Sequence, residues 1–198
     1  MTATFLLIRH AAHVHLDRLL SGRLPGVALS DAGRRQAERL AARLAGERID
    51  TVVCSPLDRT RATAEAIASA SGVAVETMDA LIEIDMGNWT GRAIGDFGDD
   101  PAWNAWNAAR ATARIPGGES MGEAQARIVG ALGELATRED GKRVAVVSHS
   151  DMIRAGVAHV LGLSLDHLLR FDVAPASVTR VVWGEWGARL VTLNETEC

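Results

Sequence analysis

The sequence predicts an α/β fold: a three-layer sandwich whose mostly parallel central sheet carries helices on both faces and ends in an antiparallel hairpin. Two observations lead to this prediction. Short apolar runs rich in β-branched side chains alternate along the chain with segments whose apolar residues recur at helical spacing. Such runs are typical of buried parallel strands, and strands that alternate with helices form sheets covered on both faces.

Three short apolar runs are the predicted parallel strands, and polar residues follow each of them. The runs are Thr4–Ile8, Ile49–Cys54 and Arg143–Val147. Two later runs, Val178–Trp183 and Arg189–Leu193, flank a Gly-Glu-Trp-Gly segment. Strand-like runs separated by a short glycine-containing turn predict a β-hairpin at the C-terminal end of the sheet.

Four helices are expected because small polar residues, which can accept the first free backbone N–H groups, precede each helical stripe of apolar residues. Ser55 is followed by Pro56, whose missing N–H costs nothing at the first helical position. Ser120 and Glu123 match a capping box. The expected helix starts are at Ser30, Ser55, Ser120, and Ser150 or Asp151.

The composition is that of an ordinary soluble protein, and we predict a single domain over residues 1–198. Hydrophobic residues make up 47% and charged residues 23% of the chain, and no linker or repeat divides it. The formal net charge of −4 argues against a nucleic-acid partner, since nucleic-acid binding favours a basic excess. Cys54 and Cys198 are too few to predict a disulfide framework or a metal knuckle.

The N-terminal residues do not combine a basic stretch with a long apolar stretch, as a secretion signal would. In addition, no apolar run reaches the length of about 20 residues that a membrane span requires. We therefore expect a cytoplasmic protein that has no membrane partner. The sequence leaves open whether the protein forms a homodimer.

Reactive side chains follow the predicted parallel strands. Arg9 and His10 end the first strand, Ser55 follows the second, and Ser148 and His149 end the third. Ligands of open α/β sheets bind beyond the carboxyl ends of the strands, so the two histidines are expected in equivalent places at one site. A neutral imidazole is a competent nucleophile. The alternative is that each histidine is only a hydrogen-bonded residue at a strand end.

Two arginines, Arg59 and Arg61, lie in the opening turns of the helix that follows the second strand. Cations at a helix N-terminus oppose the helix dipole unless an anion occupies the site. Together with Arg9, Arg59 predicts a pocket for a dianionic phosphoryl group, since guanidinium groups bind phosphate in bidentate fashion. For Arg61 we expect a solvated side chain or a pair with Asp58 or Glu65 instead.

These residues belong to a longer pattern. Five segments resemble, in order, the motifs of the histidine phosphatase superfamily, which is also called the phosphoglycerate-mutase-like family. Each motif alone is weak, whereas five motifs in family order over about residues 4 to 160 are specific. The segments are Arg9-His10, Ser55–Ala64, Leu81–Gly91, Pro116–Ser120 and Val146–His149.

The resemblance implies a histidine acid phosphatase-type phosphomonoesterase that acts on a small phosphorylated metabolite. His10 would form a phosphohistidine, and Glu83 would protonate the leaving oxygen, with Asp85 an equally placed rival on sequence grounds alone. No metal and no cofactor is implied, because cationic side chains can supply the charge that Mg²⁺ supplies in other phosphoryl-transfer enzymes. The transferred phosphoryl group would be surrounded by Arg9, Arg59 and His149.

The sequence departs from the family pattern beside the nucleophile. The family usually continues with Gly-Glu/Gln-Thr, whereas this chain has Ala11-Ala12-His13. Whether His13 contacts substrate or has a structural role stays open. The loop Ser21–Gly26, including Arg23, and the segment Asp99–Arg114 are expected to overhang the pocket and to select the leaving group. Within that segment, Trp103, Trp106 and Arg110 are expected to cover the core at helical spacing.

Three other functions compete with hydrolysis. A phosphoglycerate mutase of the same family is disfavoured because only residues 92–115 separate the motif that contains Glu83, Leu81–Gly91, from the next motif, Pro116–Ser120. This leaves little cover over the site. A zinc hydrolase would use His13 and His15, which with Asp17 match an H-x-H-x-D spacing. A non-catalytic protein that binds a phosphorylated ligand is disfavoured by the complete set of histidines and Glu83.

Overall fold

In residues 2–196, the part of the chain that the computed structural model describes, six strands form one sheet. The sheet order is β3-β2-β4-β1-β5-β6; β3, β2, β4 and β1 are parallel, and β5 and β6 are antiparallel. The predicted mostly parallel sheet with a C-terminal hairpin is thereby confirmed. The strands are β1 (Thr2–Arg9), β2 (Thr51–Cys54), β3 (Val75–Thr77), β4 (Arg143–Ser148), β5 (Val178–Gly184) and β6 (Gly187–Glu195).

Five α-helices connect these strands within the described residues, and none of them is long and apolar enough to cross a membrane. Short 3₁₀ turns lie mainly in the long connection between β3 and β4. The α-helices are α1 (Asp31–Leu44), α2 (Asp58–Ser71), α3 (Pro101–Ala108), α4 (Met121–Arg138) and α5 (Ser150–Leu161). The 3₁₀ turns are Asp79–Leu81, Gly87–Trp89, Ile94–Phe97 and Leu165–Arg170.

The central strands separate two hydrophobic cores. In β1, Phe5 and Leu7 belong to a core that includes the buried faces of α4 and α5, whereas Leu6 and Ile8 belong to a core with α1 and α2. Successive side chains of a strand point to opposite faces, so the sheet is buried on both sides. The predicted three-layer arrangement is the observed one.

Most of the predicted helix starts are confirmed. The Ser30 hydroxyl accepts a hydrogen bond from the Gly33 backbone N–H at 3.0 Å and caps α1. Ser120 and Glu123 form a complete capping box at the start of α4. Helix α5 begins at Ser150, directly after His149.

The predicted cap of α2 is wrong. This helix begins at Asp58, with Leu57 in the capping position, and not directly after Ser55. The residue before a proline is driven towards extended backbone, which keeps Ser55 in line with the strand. The Ser55 hydroxyl is 2.8 Å from Nε2 of His149, so its main partner lies on another βα unit.

Strand register brings the ends of β1, β2 and β4 to one edge of the sheet. Arg9 pairs with Ser148, and Cys54 pairs with Val147. The His10 backbone N–H donates to the Ser148 carbonyl oxygen at 3.0 Å, which fixes the residue after β1 beside the residue after β4. Cys54 is buried with a free thiol, and Cys198 lies outside the described residues, so the absence of a disulfide framework stays a prediction.

Gly33 permits helix α1 to contact the loop that follows His10. A Cβ atom at Gly33 would lie 1.8 Å from the carbonyl oxygen of Ala12, which also accepts hydrogen bonds from the Ser30 backbone N–H and hydroxyl. We expect Gly33→Ala to lower the free energy of unfolding by about 1–3 kcal/mol, the usual cost of overpacking. Urea unfolding of the variant and the wild type measures this difference.

The matched control is Gly130→Ala, in an exposed helical position of α4 where an added Cβ atom meets nothing within 4 Å. Because glycine weakens a helix interior, this substitution should raise stability by about 0.5–1 kcal/mol. Equal stability of Gly33→Ala and the wild type would contradict the close approach.

Candidate active site

A cavity of about 320 Å³ opens at the edge of the sheet where β1, β2 and β4 end. It is bounded by the residues after β1, by the loop around residues 16–22, by α2, and by the first turns of α5. Two charged lining residues, Asp151 and Arg154, were not predicted. The predicted site residues that line the cavity are Arg9, His10, His13, Arg59 and Glu83.

The ring of His10 has a defined tautomer. Its Nδ1 lies 2.8 Å from the carbonyl oxygen of Ala11, and a carbonyl oxygen can only accept, so Nδ1 carries the proton. The lone pair is therefore on Nε2. Burial, together with the nearby Arg59 cation, holds the pKa of His10 well below its usual value. His10 is thus a neutral imidazole with one free nitrogen.

His149 has the opposite tautomer and lies behind the cavity wall rather than in it. It is fully buried, and its ring centroid is 5.2 Å from that of His10. Nδ1 accepts a hydrogen bond from Nη2 of Arg59 at 3.2 Å, because a guanidinium only donates, and Nε2–H donates to the Ser55 hydroxyl at 2.8 Å. Burial holds the pKa of His149 well below its usual value, so its ring is neutral as well.

Arg9 and Arg59 have buried N–H groups without a hydrogen-bond partner among the described residues. Nη2 of Arg59 donates to the Gly22 carbonyl at 2.7 Å, while its Nε and Nη1 are unpaired. Nη1 of Arg9 donates to the Val173 carbonyl at 2.7 Å, while its Nε is unpaired. Buried donors left unpaired are costly, and more so when charged. An anion with several oxygen atoms would satisfy them.

Of the two acids considered as proton donor, Glu83 and Asp85, the structure brings Glu83 to the cavity. Its Oε1 accepts the Ile84 backbone N–H at 3.0 Å. Burial, reinforced by the Asp151 carboxylate, raises the pKa of Glu83 to about 7. Oε2 is 3.9 Å from Nδ1 of His149, too far for a hydrogen bond, and the neutral ring forms no ion pair with it. The rival Asp85 is 40% exposed and does not line the cavity.

Arg23 differs from its expected placement. It does not line the cavity; its Nε donates to the Glu83 carbonyl oxygen at 2.8 Å, and its Nη2 donates to Oε2 of Glu119 at 2.8 Å. From the same loop, Ser21 and Gly22 do line the cavity. The two nearby carboxylates, Glu119 and Asp85, draw the guanidinium away from the cavity.

The segment Asp99–Arg114 also contributes no residue to the cavity lining. Trp106 in α3 is buried in the core, and Trp103 packs against the same core, as their spacing predicted. Arg110 is buried as well, with its guanidinium 3.9 Å above the Trp106 ring. This segment covers the core because its indole rings bury large apolar surfaces there.

His13 lines the cavity beside His10, with its ring centroid 5.2 Å from that of His10. Its Nδ1 accepts the His15 backbone N–H at 3.2 Å, so the neutral ring carries its proton on Nε2. Burial lowers the pKa of His13 to about 4. Ala11 does not adopt a positive φ, so replacement of the usual glycine costs no backbone strain.

Residues 2–196 contain no group of three or more His, Cys, Asp or Glu side chains arranged to hold a metal ion. The ring centroids of His13 and His15 are 6.3 Å apart. The zinc alternative therefore has no ligand set in the described part of the chain. Arg61 is more than half exposed and lies 3.9 Å from Glu65, in agreement with the predicted pairing.

Sequence reasoning missed four residues at the site: Ser55 as a partner of His149, Thr63, Asp151 and Arg154. The Thr63 hydroxyl accepts the Ala11 backbone N–H at 3.1 Å and thus supports the loop after His10. Asp151 and Arg154 follow His149 in the first turns of α5, so the strand-end argument extended by one helical turn would have found them.

Comparisons with known proteins agree with the resemblance. The family model of the histidine phosphatase superfamily (branch 1) matches residues 5–196. Phosphoserine phosphatase 1 of Hydrogenobacter thermophilus is 33% identical over 172 residues, which cover 85% of this chain and 81% of that protein. The 2,3-bisphosphoglycerate-dependent phosphoglycerate mutase of Thermoplasma acidophilum is 33% identical over 193 residues, which cover 96% and 90%. The structure of mycobacterial glucosyl-3-phosphoglycerate phosphatase has a TM-score of 0.88 at 26% identity, covering 99% of this chain and 100% of that chain.

The tautomers of His10 and His149 can be measured directly. Because Nδ1 of His10 donates to a carbonyl oxygen and Nδ1 of His149 accepts from a guanidinium, we expect an Nδ1–H ring for His10 and an Nε2–H ring for His149 at pH 7. Long-range ¹H–¹⁵N spectra of histidine-labelled protein distinguish the two forms, and His10→Asn identifies the His10 signals. An imidazolium spectrum for His10 at pH 7 would contradict the assignment.

Proposed function

Because the chain belongs to the histidine phosphatase superfamily (branch 1), we propose that it hydrolyses a small phosphomonoester through a phosphohistidine on His10. One observation carries this proposal: a neutral His10 with a free Nε2 lines the same cavity as Arg9 and Arg59, whose buried N–H groups lack partners. The cavity thus combines a nucleophile with donors for the anion that it attacks.

Binding of the phosphoryl group would give hydrogen-bond partners to the unpaired N–H groups of Arg9 and Arg59. The phosphoryl oxygens would accept hydrogen bonds from Nε of Arg9 and from Nε and Nη1 of Arg59, with charge assistance from both cations. The neutral rings of His10 and His149 add no charge of their own, so the two guanidiniums supply the positive charge that compensates the dianion. Nε2–H of His13 is a further donor at the cavity wall.

Chemistry would proceed in two displacements. Nε2 of His10 attacks phosphorus as the bond to the leaving oxygen breaks, and the Glu83 carboxyl gives its proton to that oxygen, which leaves as an alcohol. In the second step, water attacks phosphorus, the P–N bond breaks, and the Glu83 carboxylate takes a proton from the water. Inorganic phosphate leaves, and His10 and Glu83 return to their starting states.

An acid phosphatase-type pH dependence fits these charges. Glu83 must be protonated in the first step, and its raised pKa of about 7 leaves it protonated below that value. His10 must be neutral, and its lowered pKa keeps it neutral well into the acid range. Activity on poor leaving groups is therefore expected to fall as the pH rises through about 7.

The relatives leave two activities to consider. Phosphoserine phosphatase 1 and glucosyl-3-phosphoglycerate phosphatase are named as hydrolases, whereas the Thermoplasma relative is named as a mutase. Hydrolysis is favoured because no residue of the segment Asp99–Arg114 lines the cavity, so this segment does not shield the phosphohistidine from water. For either activity, the proposed substrate is a small phosphorylated metabolite.

We expect His10→Ala to lower kcat/KM for p-nitrophenyl phosphate by at least about 10³-fold, since the covalent step is lost. Rapid acid-free quenching with ³²P-labelled substrate should trap an acid-labile, base-stable adduct on the wild type and none on the variant. The matched control is His159→Ala, because His159 stacks on Trp183 and does not line the cavity. Near-normal turnover by folded His10→Ala would refute the mechanism.

Hydrolysis and isomerisation are separated by following 3-phosphoglycerate with and without 2,3-bisphosphoglycerate. We expect release of inorganic phosphate to exceed formation of 2-phosphoglycerate under both conditions, because water has access to the phosphohistidine. The two products are measured in the same reaction by ³¹P NMR. Fast isomerisation with negligible phosphate release would assign the protein to the mutases and leave the phosphohistidine chemistry in place.

A further inference from the structure

The carboxylate of Glu119 accepts hydrogen bonds from three different residues. Its Oε2 accepts from Nη2 of Arg23 at 2.8 Å, from Nη2 of Arg127 at 2.9 Å and from the Asp85 backbone N–H at 2.9 Å. Its Oε1 accepts from Nε of Arg127 at 3.2 Å. Glu119 is itself four-fifths buried, and it does not line the cavity. It is therefore a fixed bridge between two guanidiniums.

Both guanidiniums that bind Glu119 also contact the backbone of Glu83. Nε of Arg23 donates to the Glu83 carbonyl oxygen at 2.8 Å, and Nη2 of Arg127 approaches the same oxygen at 3.4 Å. Nη1 of Arg127 also donates to the carbonyl oxygens of Ala80 and Ile82, at 2.8 and 2.6 Å. The segment that carries the Glu83 side chain is thus held by its carbonyl groups.

Close backbone contact joins the two loops as well. The Glu119 backbone N–H donates to the Asp85 carbonyl oxygen at 3.0 Å. A Cβ atom at Gly118 would lie 2.2 Å from that same oxygen, and one at Gly87 would lie 2.3 Å from the carbonyl oxygen of Pro116. Gly118 and Gly87 therefore permit Glu119 to lie against the loop of residues 82–87 (the acid loop), which carries Glu83.

The bridge also pairs two cations with one carboxylate close to the backbone of Glu83. Without the Glu119 carboxylate, Arg23 would keep only Asp85, at 3.6 Å, as a carboxylate partner, and Arg127 would have no ion pair among the described residues. The less compensated cations would favour an ionised Glu83. Other elements present further groups to Glu83: the Asp151 carboxylate favours the protonated form, and the cations of Arg9 and Arg59 favour the ionised form. The remaining neighbour, His149, is neutral.

We propose that Glu119 is a positioning residue for Glu83: it fixes the Glu83 segment through Arg23 and Arg127 and compensates part of their charge. This inference rests on the proposed function, in which Glu83 protonates the leaving oxygen. It assigns Arg23 to the support of the acid loop rather than to substrate. It also gives the Pro-Gly-Gly-Glu-Ser segment a physical role in proton transfer, although none of its residues lines the cavity.

The test compares Glu119→Gln with the wild type on an aryl phosphate and an alkyl phosphate over a range of pH. We expect kcat/KM for glycerol 3-phosphate to fall at least about tenfold and that for p-nitrophenyl phosphate to change much less, because a good leaving group needs little protonation. The fall of alkyl phosphatase activity with rising pH should begin at lower pH, because arginines that have lost one carboxylate partner favour the ionised form of Glu83. Glu119→Asp keeps the charge and should keep the wild-type pH profile.

Two further variants serve as references. Glu83→Gln should lose alkyl phosphatase activity by about 10²-fold or more, with a smaller loss on the aryl substrate. Glu123→Gln is the matched control, since this exposed glutamate caps α4 and pairs with Arg114. It should leave the ratio of the two activities and the pH profile unchanged.

Equal losses on both substrates with an unmoved pH profile in Glu119→Gln would overturn the inference and leave Glu119 a structural residue. If Glu83→Gln itself shows equal losses, the proposed proton donor is wrong, and the two failures are thus distinguishable. Should Glu119→Gln not fold, Arg23→Gln tests the positioning part of the proposal, because it removes one hydrogen bond to the Glu83 carbonyl from a partly exposed side chain. Since it also removes a cation, its pH profile should not shift to lower pH. A substrate-selective loss in that variant supports the inference, and an equal loss refutes it.

Discussion

The guanidinium of Arg59 organises the edge of the sheet that forms the candidate active site. It is buried, and its Nη2 donates both to the Gly22 carbonyl and to Nδ1 of His149. Its charge also contributes to the lowered pKa values of His10 and His149. This buried cation thus selects the His149 tautomer, adds to burial in keeping two imidazoles neutral, and retains two N–H groups without a partner among the described residues. A bound dianion would repay the cost of burying it.

Several neighbouring residues hold the Arg59 guanidinium in place. Arg59 lies in the first turn of α2, and the turn starts at Asp58 because Ser55 remains extended before Pro56. The Ser55 hydroxyl can then accept Nε2–H of His149, whose other nitrogen is already engaged by Arg59. A chain of Ser55, His149 and Arg59 therefore links the ends of β2 and β4 to the helix that carries the cation.

The parts of this site that follow from local sequence were predictable, and those that depend on distant partners were not. The positions of His10 and His149 directly after β1 and β4 were predicted correctly, because strand period and the strand-end rule need only nearby residues. That His149 is buried outside the cavity lining was not predicted. The sequence around Ser55 also fits a helix cap. Its hydroxyl instead bonds to His149, which is 94 positions away and could not be identified as a partner from nearby residues. Likewise Arg23 was predicted to bind substrate, because the sequence alone does not show that Glu119, 96 positions along the chain, lies beside it.

Glu83, the proposed proton donor, lies among groups that raise its pKa and groups that lower it, and bound substrate would change this balance. In the free protein, burial and Asp151 raise the pKa of Glu83 while Arg59 and Arg9 lower it. A phosphoryl dianion bound to those arginines would cancel their charge and place negative charge beside the carboxyl, and both changes favour the protonated acid. In the proposed mechanism, departure of the alcohol and transfer of the proton would then leave a carboxylate next to a phosphohistidine, the form that can accept a proton from water. The cations proposed to bind substrate would therefore suit Glu83 first to donate a proton and then to accept one.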